Sequence, residues 1–126
     1  MNILIVEDNF HMRRLLKSML ASLAGEFYEC SNGAEALAAY ACHKPDVVLM
    51  DIRMGRVDGM MATQQIRAAD PSARVIIVTD YDQPDLREAA DQAGACGYVV
   101  KDNLLELVER LKEEARLRRA EPKTGK

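Results

Sequence analysis

Asp51 closes the run Val47-Val48-Leu49-Met50, four apolar residues bounded by Pro45-Asp46 on one side and Gly55 on the other. A continuous apolar run of this length suits a strand covered on both faces in a parallel sheet, and it is too short for a buried helix. The pattern recurs along the chain. Ile3-Leu4-Ile5-Val6 runs into Glu7-Asp8, Val75-Ile76-Ile77-Val78 into Thr79-Asp80, and Tyr98-Val99-Val100 into Lys101. In open parallel sheets ligands sit outside the carboxyl ends of the strands, so each of these polar residues is aimed at one crevice. A single aspartate there is weak evidence, because many strands end in Asp for turn reasons. Four polar strand ends together are much less easily accounted for by turns.

Gathered together, Glu7, Asp8 and Asp51 repel one another; a pair about 4 Å apart at an effective dielectric near 20 costs roughly 4 kcal/mol when both are ionised. An all-oxygen cluster without His or Cys selects a hard cation to offset that cost. A sparse set of acids that leaves room for waters and a phosphate oxygen favours Mg²⁺ over a caged Ca²⁺, with Mn²⁺ able to substitute. A carboxylate beside such an ion can attack phosphorus to give an aspartyl phosphate, and Asp51 is the best placed nucleophile. Thr79 offers a hydroxyl to a phosphoryl oxygen. Lys101 offers a compact cation that could pair with Asp51 before reaction and with the phosphoryl group after it. Taken singly, a strand-end threonine often caps a turn and a strand-end lysine is usually solvated.

Helices must bring these strand ends side by side. From Phe10 to about Ala24, residues Met12, Leu15, Leu16, Met19, Leu20 and Leu23 fall at helical spacing opposite Arg13, Arg14 and Lys17, closed by Gly25. Phe27-Tyr28-Glu29-Cys30 reads as a short, polar edge strand. Ser31-Asn32-Gly33 supplies a turn and cap before an alanine-rich helix from Ala34 to about Cys42, stopped near Pro45. Asp58 caps a helix from about Gly59 to Ala69 with Met60, Met61 and Ile66 as its apolar face. Pro84 opens a helix carrying Leu86, Ala89, Ala90 and Ala93, which Gly94 ends. The last helix is expected to begin at Asp102 or Asn103 as cap, with Leu104, Val108, Leu111 and Ala115 on one face. The mixed charge run from Glu109 to Arg119 reads as a solvated helix face.

Five β-α units under the handedness and crossover rules give an α/β fold: a three-layer, doubly wound, five-stranded parallel sheet in the flavodoxin-like order 2-1-3-4-5. In that order the chain reverses direction between its first and third strands, so Glu7, Asp8 and Asp51 converge at the switch point. Residues 1–118 form one domain on this reading, and residues 119–126 a polar C-terminal tail.

The totals narrow the function classes. With 126 residues, 48% hydrophobic and 29% charged, the chain has the length and composition of one globular domain. No apolar run approaches the roughly 20 residues that span a bilayer. The start Met1-Asn2-Ile3 lacks the basic segment and cleavage site of a secretory signal, so a cytoplasmic location without a membrane partner is expected. Cys30, Cys42 and Cys96 are an odd count without a Cys-x-x-Cys pair, which argues against a disulfide framework and a thiolate metal site. A formal charge of -3 leaves no basic footprint for nucleic acid. His11 and His43 each stand alone near a helix end and read as structural or solvated.

Glu7-Asp8, Asp51, Thr79 and Lys101, with Met54, Asp58-Gly59 and Gly94-x-x-Gly97-Tyr98-x-x-Lys101 between them, resemble the receiver domain of two-component response regulators over residues 2 to about 115. The resemblance implies the CheY-like variant of the fold and a phosphoprotein. Asp51 would accept phosphate from a sensor histidine kinase or phosphotransfer protein. Glu7, Asp8, Asp51 and the backbone carbonyl of Arg53 would hold Mg²⁺. Thr79 and Lys101 would read the phosphoryl group, and Tyr98 would be the aromatic switch that turns inward when Thr79 moves. The surface of the fourth helix, fifth strand and fifth helix, about Pro84 to Ala115, would signal to a downstream protein or form a homodimer on phosphorylation. The resemblance implies a signalling domain and not an enzyme, its chemistry limited to self-phosphorylation and autodephosphorylation.

Within the family, Thr79-Asp80-Tyr81-Asp82 and Gly94 to Asp102 look most like the NarL/FixJ branch, in which a helix-turn-helix DNA-binding domain normally follows the receiver. The expectation here is a stand-alone receiver; the alternatives are a truncated receiver of a DNA-binding regulator and a degenerate receiver that binds proteins without being phosphorylated. A phosphatase using the same acids would need a second Asp two residues after the nucleophile, and Arg53 stands there. Three departures from the family pattern stand out: Gly55 after the methionine, Asp80 where a small residue is usual, and Asp102 in place of proline.

Overall fold

The computed structural model describes residues 1–52 and 58–120. β1 (Asn2–Val6), β3 (Val47–Met50) and β4 (Val75–Thr79) are the apolar runs, and every residue of β3 and β4 is buried. β2 (Glu26–Cys30) and β5 (Gly97–Val100) are the edges. All neighbours pair in parallel, in the order β2-β1-β3-β4-β5, which is the flavodoxin-like topology expected from the repeated strand-helix pattern. The connections are α1 (Phe10–Leu20), α2 (Ala36–His43), α3 (Gly59–Ala69) and α4 (Pro84–Ala93), with α5 (Leu104–Ala120) closing the chain.

Because side chains alternate across a strand, the sheet divides its apolar residues between two cores. Leu4, Val6, Val48, Met50, Val75 and Ile77 face Ala36 of α2, Ala62 and Ile66 of α3 and Ala90 of α4. Ile3, Ile5, Leu49, Ile76, Val78 and Val99 face Leu16 and Leu20 of α1 and Leu107 and Leu111 of α5. Both faces are covered, as a sheet of continuous apolar strands requires.

Several boundaries and faces differ from the sequence reading. α1 ends at Leu20, not near Ala24, because Leu23 and Ala24 both donate to the Leu20 carbonyl and Gly25 donates to Met1, turning the chain back toward the sheet. α2 is preceded by a 3-10 turn at Gly33–Glu35, capped by Asn32, and ends with Lys44 in the left-handed region at φ 47. Leu15 and Met61, placed on apolar faces by their spacing, are 45% and 49% exposed; the buried stripe of each helix is narrower than its run of apolar residues. A second 3-10 turn, Lys101–Asn103, replaces a side-chain cap at Asp102 or Asn103.

The largest correction concerns α5. Its buried line runs through Leu107, Leu111 and Glu114, while Leu104, Val108 and Ala115 are half-buried. The charge run is therefore not a wholly solvated face. Glu114, 5% exposed, receives both Nε and Nη2 of Arg74 at 3.0 and 2.7 Å. One turn away on either side, Arg110 donates to the Cys96 carbonyl and Arg118 meets Asp46 at 2.6 Å. Arg53, Met54 and Gly55 and the tail from residue 121 lie outside the described residues.

Candidate functional site

The pairing of β1 with β3 sets Val6 opposite Met50, so the next residues, Glu7 and Asp51, leave the sheet side by side. Their amides extend the ladders, Glu7 to the Cys30 carbonyl and Asp51 to the Val6 carbonyl, each at 3.0 Å. Carboxylate oxygens of Glu7, Asp8 and Asp51 lie within 4.8 Å of one another. Glu7 and Asp51 are buried and Asp8 is exposed. Two enclosed acids and one facing water make a hard-donor pocket with an open side, and this donor set fits a divalent cation such as Mg²⁺.

The neighbouring backbone fixes the acids. Asn9 caps α1 by accepting from the Met12 amide at 2.9 Å, and its own amide donates to Glu7 Oε2 at 3.1 Å, so the helix start and the acid share one residue. Arg13 Nη1 donates to the Glu7 carbonyl at 2.7 Å, while its Nε meets Glu29 on β2 at 2.9 Å. On the other side Asp58 caps α3 by accepting from the Met61 amide at 2.9 Å. Gly59 approaches Asp51 so closely that a Cβ there would overlap the Asp51 carbonyl, and the Gly59 amide donates to Ile52 at 2.8 Å. Only glycine lets the chain return this near to the acid.

Lys101, carried in by β5, places Nζ 2.8 Å from Glu7 Oε1 and 3.2 Å from Asp51 Oδ2, with 9% of its side chain exposed. Burial pushes the Glu7 carboxyl up to about 7; the hydrogen bond from Lys101 opposes that rise and the charge of Asp51 reinforces it. For Lys101 burial acts to lower the ammonium, but the Glu7 hydrogen bond and the Asp51 charge outweigh it and hold the cation above its ordinary value.

Thr79 is fully buried at the end of β4, paired with Val100 of β5. Its Oγ1 accepts from the Tyr81 amide at 3.3 Å, and the Tyr81 carbonyl accepts from the Tyr98 hydroxyl at 2.6 Å. The Tyr98 ring packs on the core beneath α2, α3 and α4, and the Arg87 guanidinium lies over it, 4.7 Å from the centroid. Arg87 also meets Asp82 at 2.8 Å. Asp80 is exposed and lines a cavity of about 360 Å³ with Asn9, His11, Met12, Leu15 and Lys101.

The structure thus gathers Glu7, Asp8, Asp51 and Lys101 into one cluster and joins Thr79 to Tyr98 through Tyr81. The Arg53 carbonyl, expected as a ligand, falls outside the described residues. Three participants escaped the sequence reading: Asn9, Arg13 and the contact of Lys101 with Glu7 as well as Asp51. An Asn directly before a helical pattern is a readable cap signal. The reach of Arg13 and the division of Lys101 between two acids depend on tertiary packing.

A model of the response regulator receiver domain matches residues 3–112. Over 111 residues the chain is 39% identical to the chemotaxis protein CheY of Bacillus subtilis, covering 84% of this chain and 92% of that protein. Among solved structures, the BeF3-activated N-terminal receiver domain of Klebsiella pneumoniae RstA is similar with a TM-score of 0.84 and 26% identity, covering 92% of this chain and 99% of that one. The signal receiver domain of the putative response regulator NarL from Mycobacterium tuberculosis is similar with a TM-score of 0.77 and 29% identity, covering 91% of this chain and 95% of that one.

Proposed function

The chain belongs to the response regulator receiver family, and on that premise we propose that Asp51 accepts a phosphoryl group from a sensor histidine kinase or phosphotransfer protein. The observation that carries this reading is the position of Lys101, a buried ammonium held against Asp51 and Glu7 at 3.2 and 2.8 Å. An Asp51 oxygen attacks phosphorus as the bond from phosphorus to the donor breaks, and the phosphoryl group remains on the carboxylate. Glu7, Asp8, Asp51 and, by the family resemblance, the backbone carbonyl of Arg53 would hold Mg²⁺, or Mn²⁺ in its place, which would supply charge neutralisation for the phosphoryl oxygens.

The chain's own residues do the rest. Glu7 and Asp8 carry the negative charge that retains the cation, while Lys101 transfers its attention from the Asp51 carboxylate to the new phosphoryl oxygens. Thr79 offers its hydroxyl to one of those oxygens and in turning tightens the Tyr81 to Tyr98 connection. Tyr98 passes that change to the α4-β5-α5 surface, where a downstream protein docks or a second copy of the chain forms a homodimer. Residues 1–118 act as the receiver, in the cytoplasm, with no output chemistry beyond forming and hydrolysing the acyl phosphate.

The test is intact-mass spectrometry after incubation with acetyl phosphate and Mg²⁺. A phosphate-sized gain is expected, absent in Asp51→Asn and absent without the metal. A gain that persists in Asp51→Asn overturns the assignment of the acceptor. No gain with either acetyl phosphate or a phosphorylated histidine phosphotransfer protein, together with no Mg²⁺ binding by titration, would make this a degenerate receiver.

A further inference from the structure

Tyr98 is held from two sides, by the loop between β4 and α4 and by the first turn of α4. Its hydroxyl donates to the Tyr81 carbonyl at 2.6 Å, which draws the edge of the ring toward that loop. Its face carries the Arg87 guanidinium, 4.7 Å from the ring centroid, a favourable cation over the negative face of an aromatic. The guanidinium is also braced, because Arg87 Nε meets Asp82 Oδ1 at 2.8 Å in a pair whose side chains are 44% and 63% exposed. Tyr81 and Asp82 stand two and three residues after Thr79, and Thr79 Oγ1 accepts from the Tyr81 amide at 3.3 Å. Edge and face of one ring are thus tied to two consecutive residues of the segment that starts at Thr79. An apolar residue at position 87 could cover the ring but could not bind it to Asp82.

Arg87 lies in the first turn of α4, where its amide donates to the Gln83 carbonyl at 3.0 Å. Next to the ring is a cavity of about 160 Å³, lined by Arg87, Ala90, Asp91 and Gly97 among others, which gives the ring room to swing when the two ties break.

We propose that Arg87, braced by Asp82, is a positioning residue that latches Tyr98 onto the Tyr81 carbonyl and so sets the balance of the switch before any phosphoryl group arrives. The proposal rests on the reading of Thr79 and Tyr98 as the switch of a phosphoacceptor domain. Arg87 touches neither Asp51 nor the acid cluster in this assignment; it acts through Tyr98. With Arg87 in place the loop-bound orientation of Tyr98 is populated in the unphosphorylated protein, and phosphorylation deepens a preference that already exists.

The chain has four tyrosines, so 3-fluorotyrosine labelling gives a short ¹⁹F spectrum in which Tyr98→Phe identifies the Tyr98 signal. Spectra of the wild type, Arg87→Ala, Arg87→Lys and Asp82→Asn are recorded with Mg²⁺, before and after addition of beryllofluoride as a phosphoryl mimic. In Arg87→Ala the population of the loop-bound signal relative to the released one is expected to fall about two- to fivefold. Arg87→Lys, which keeps a cation over the ring, restores part of it, and Asp82→Asn shifts the balance in the same direction as Arg87→Ala. An unchanged Tyr98 signal in Arg87→Ala overturns the latch. A wild type whose Tyr98 signal ignores beryllofluoride, while Arg87→Ala still moves it, overturns the phosphoacceptor reading and leaves the latch standing.

Discussion

Lys101 eases a conflict that burial imposes on Glu7. Glu7 and Asp51 are both withdrawn from water, and even with Lys101 beside it burial leaves the Glu7 carboxyl raised to about 7; without that ammonium Glu7 would be driven further toward its neutral form. An ammonium 2.8 and 3.2 Å from them favours negative charge at the proposed metal site. The same reasoning gives Asp80 a role. Its exposed carboxylate and Lys101 line one cavity, so its charge opposes an anionic donor that approaches Asp51 from that side. One charge acting on a dianion at roughly 8 Å in water-like surroundings costs about 1 kcal/mol, or about fivefold in rate. Asp80→Ala is expected to speed phosphate gain from acetyl phosphate about two- to fivefold at saturating Mg²⁺, with the difference shrinking as salt is added. An unchanged initial rate would remove Asp80 from the account. Asp51, Glu7 and Lys101 were legible because each directly follows an apolar run; Arg13 and Arg87 were not, because a long side chain's target is set by which strand or helix lies beside it.

At the scale of elements, the helix starts were readable and the helix faces less so. Asp58 caps α3 as its position suggested, and Pro84 and Gly94 bound α4. Gly94 adopts φ 102, where any Cβ would also press on the Arg67 side chain. Spacing alone put Leu15 and Met61 inside, since period says which residues share a face but not how wide a face its neighbours cover. Nor does it announce a tie between helices such as that of Tyr40 on α2, whose hydroxyl donates to Asp70 at the end of α3 at 2.7 Å. Burial and then the Asp70 hydrogen bond raise Tyr40 from 10.0 to about 12. Asp70 is lowered, chiefly by the same bond. A phenol whose folded value is raised contributes stability that is complete below its unfolded value and lost as pH rises through the folded one. The urea midpoint of Tyr40→Phe should therefore lie below that of the wild type at pH about 7, and the gap should narrow as pH climbs from about 10 toward 12. A gap that stays constant through that window would mean the bond does not join the two helices in solution.

For the molecule as a whole, the sheet separates the acid cluster from the anchoring of α5. Glu7, Asp51, Thr79 and Lys101 sit at the carboxyl ends of the strands, whereas α5 is fastened near the opposite ends, through Asp46 before β3, Arg74 before β4 and Cys96 before β5. The topology was legible because four apolar runs repeat with helices between them, and right-handed crossovers leave few arrangements. The fastening was not, because Arg110, Glu114 and Arg118 recur at the spacing of any solvated charged face. Its two central partners are unequal: the Glu114 side chain is 7% exposed and that of Arg74 43%. Glu114→Ala leaves a guanidinium that can turn to water, and a loss of about 1–2 kcal/mol in urea unfolding is expected. Arg74→Ala leaves a carboxylate enclosed under α5 without its bidentate partner, and a larger loss, about 3 kcal/mol, is expected. Because neither residue touches the acid cluster, the initial rate of phosphate gain at Asp51 should stay within about twofold of wild type in both variants, measured where each is fully folded. Equal losses, or a greater loss for Glu114→Ala, would mean that Glu114 is reached by water in solution.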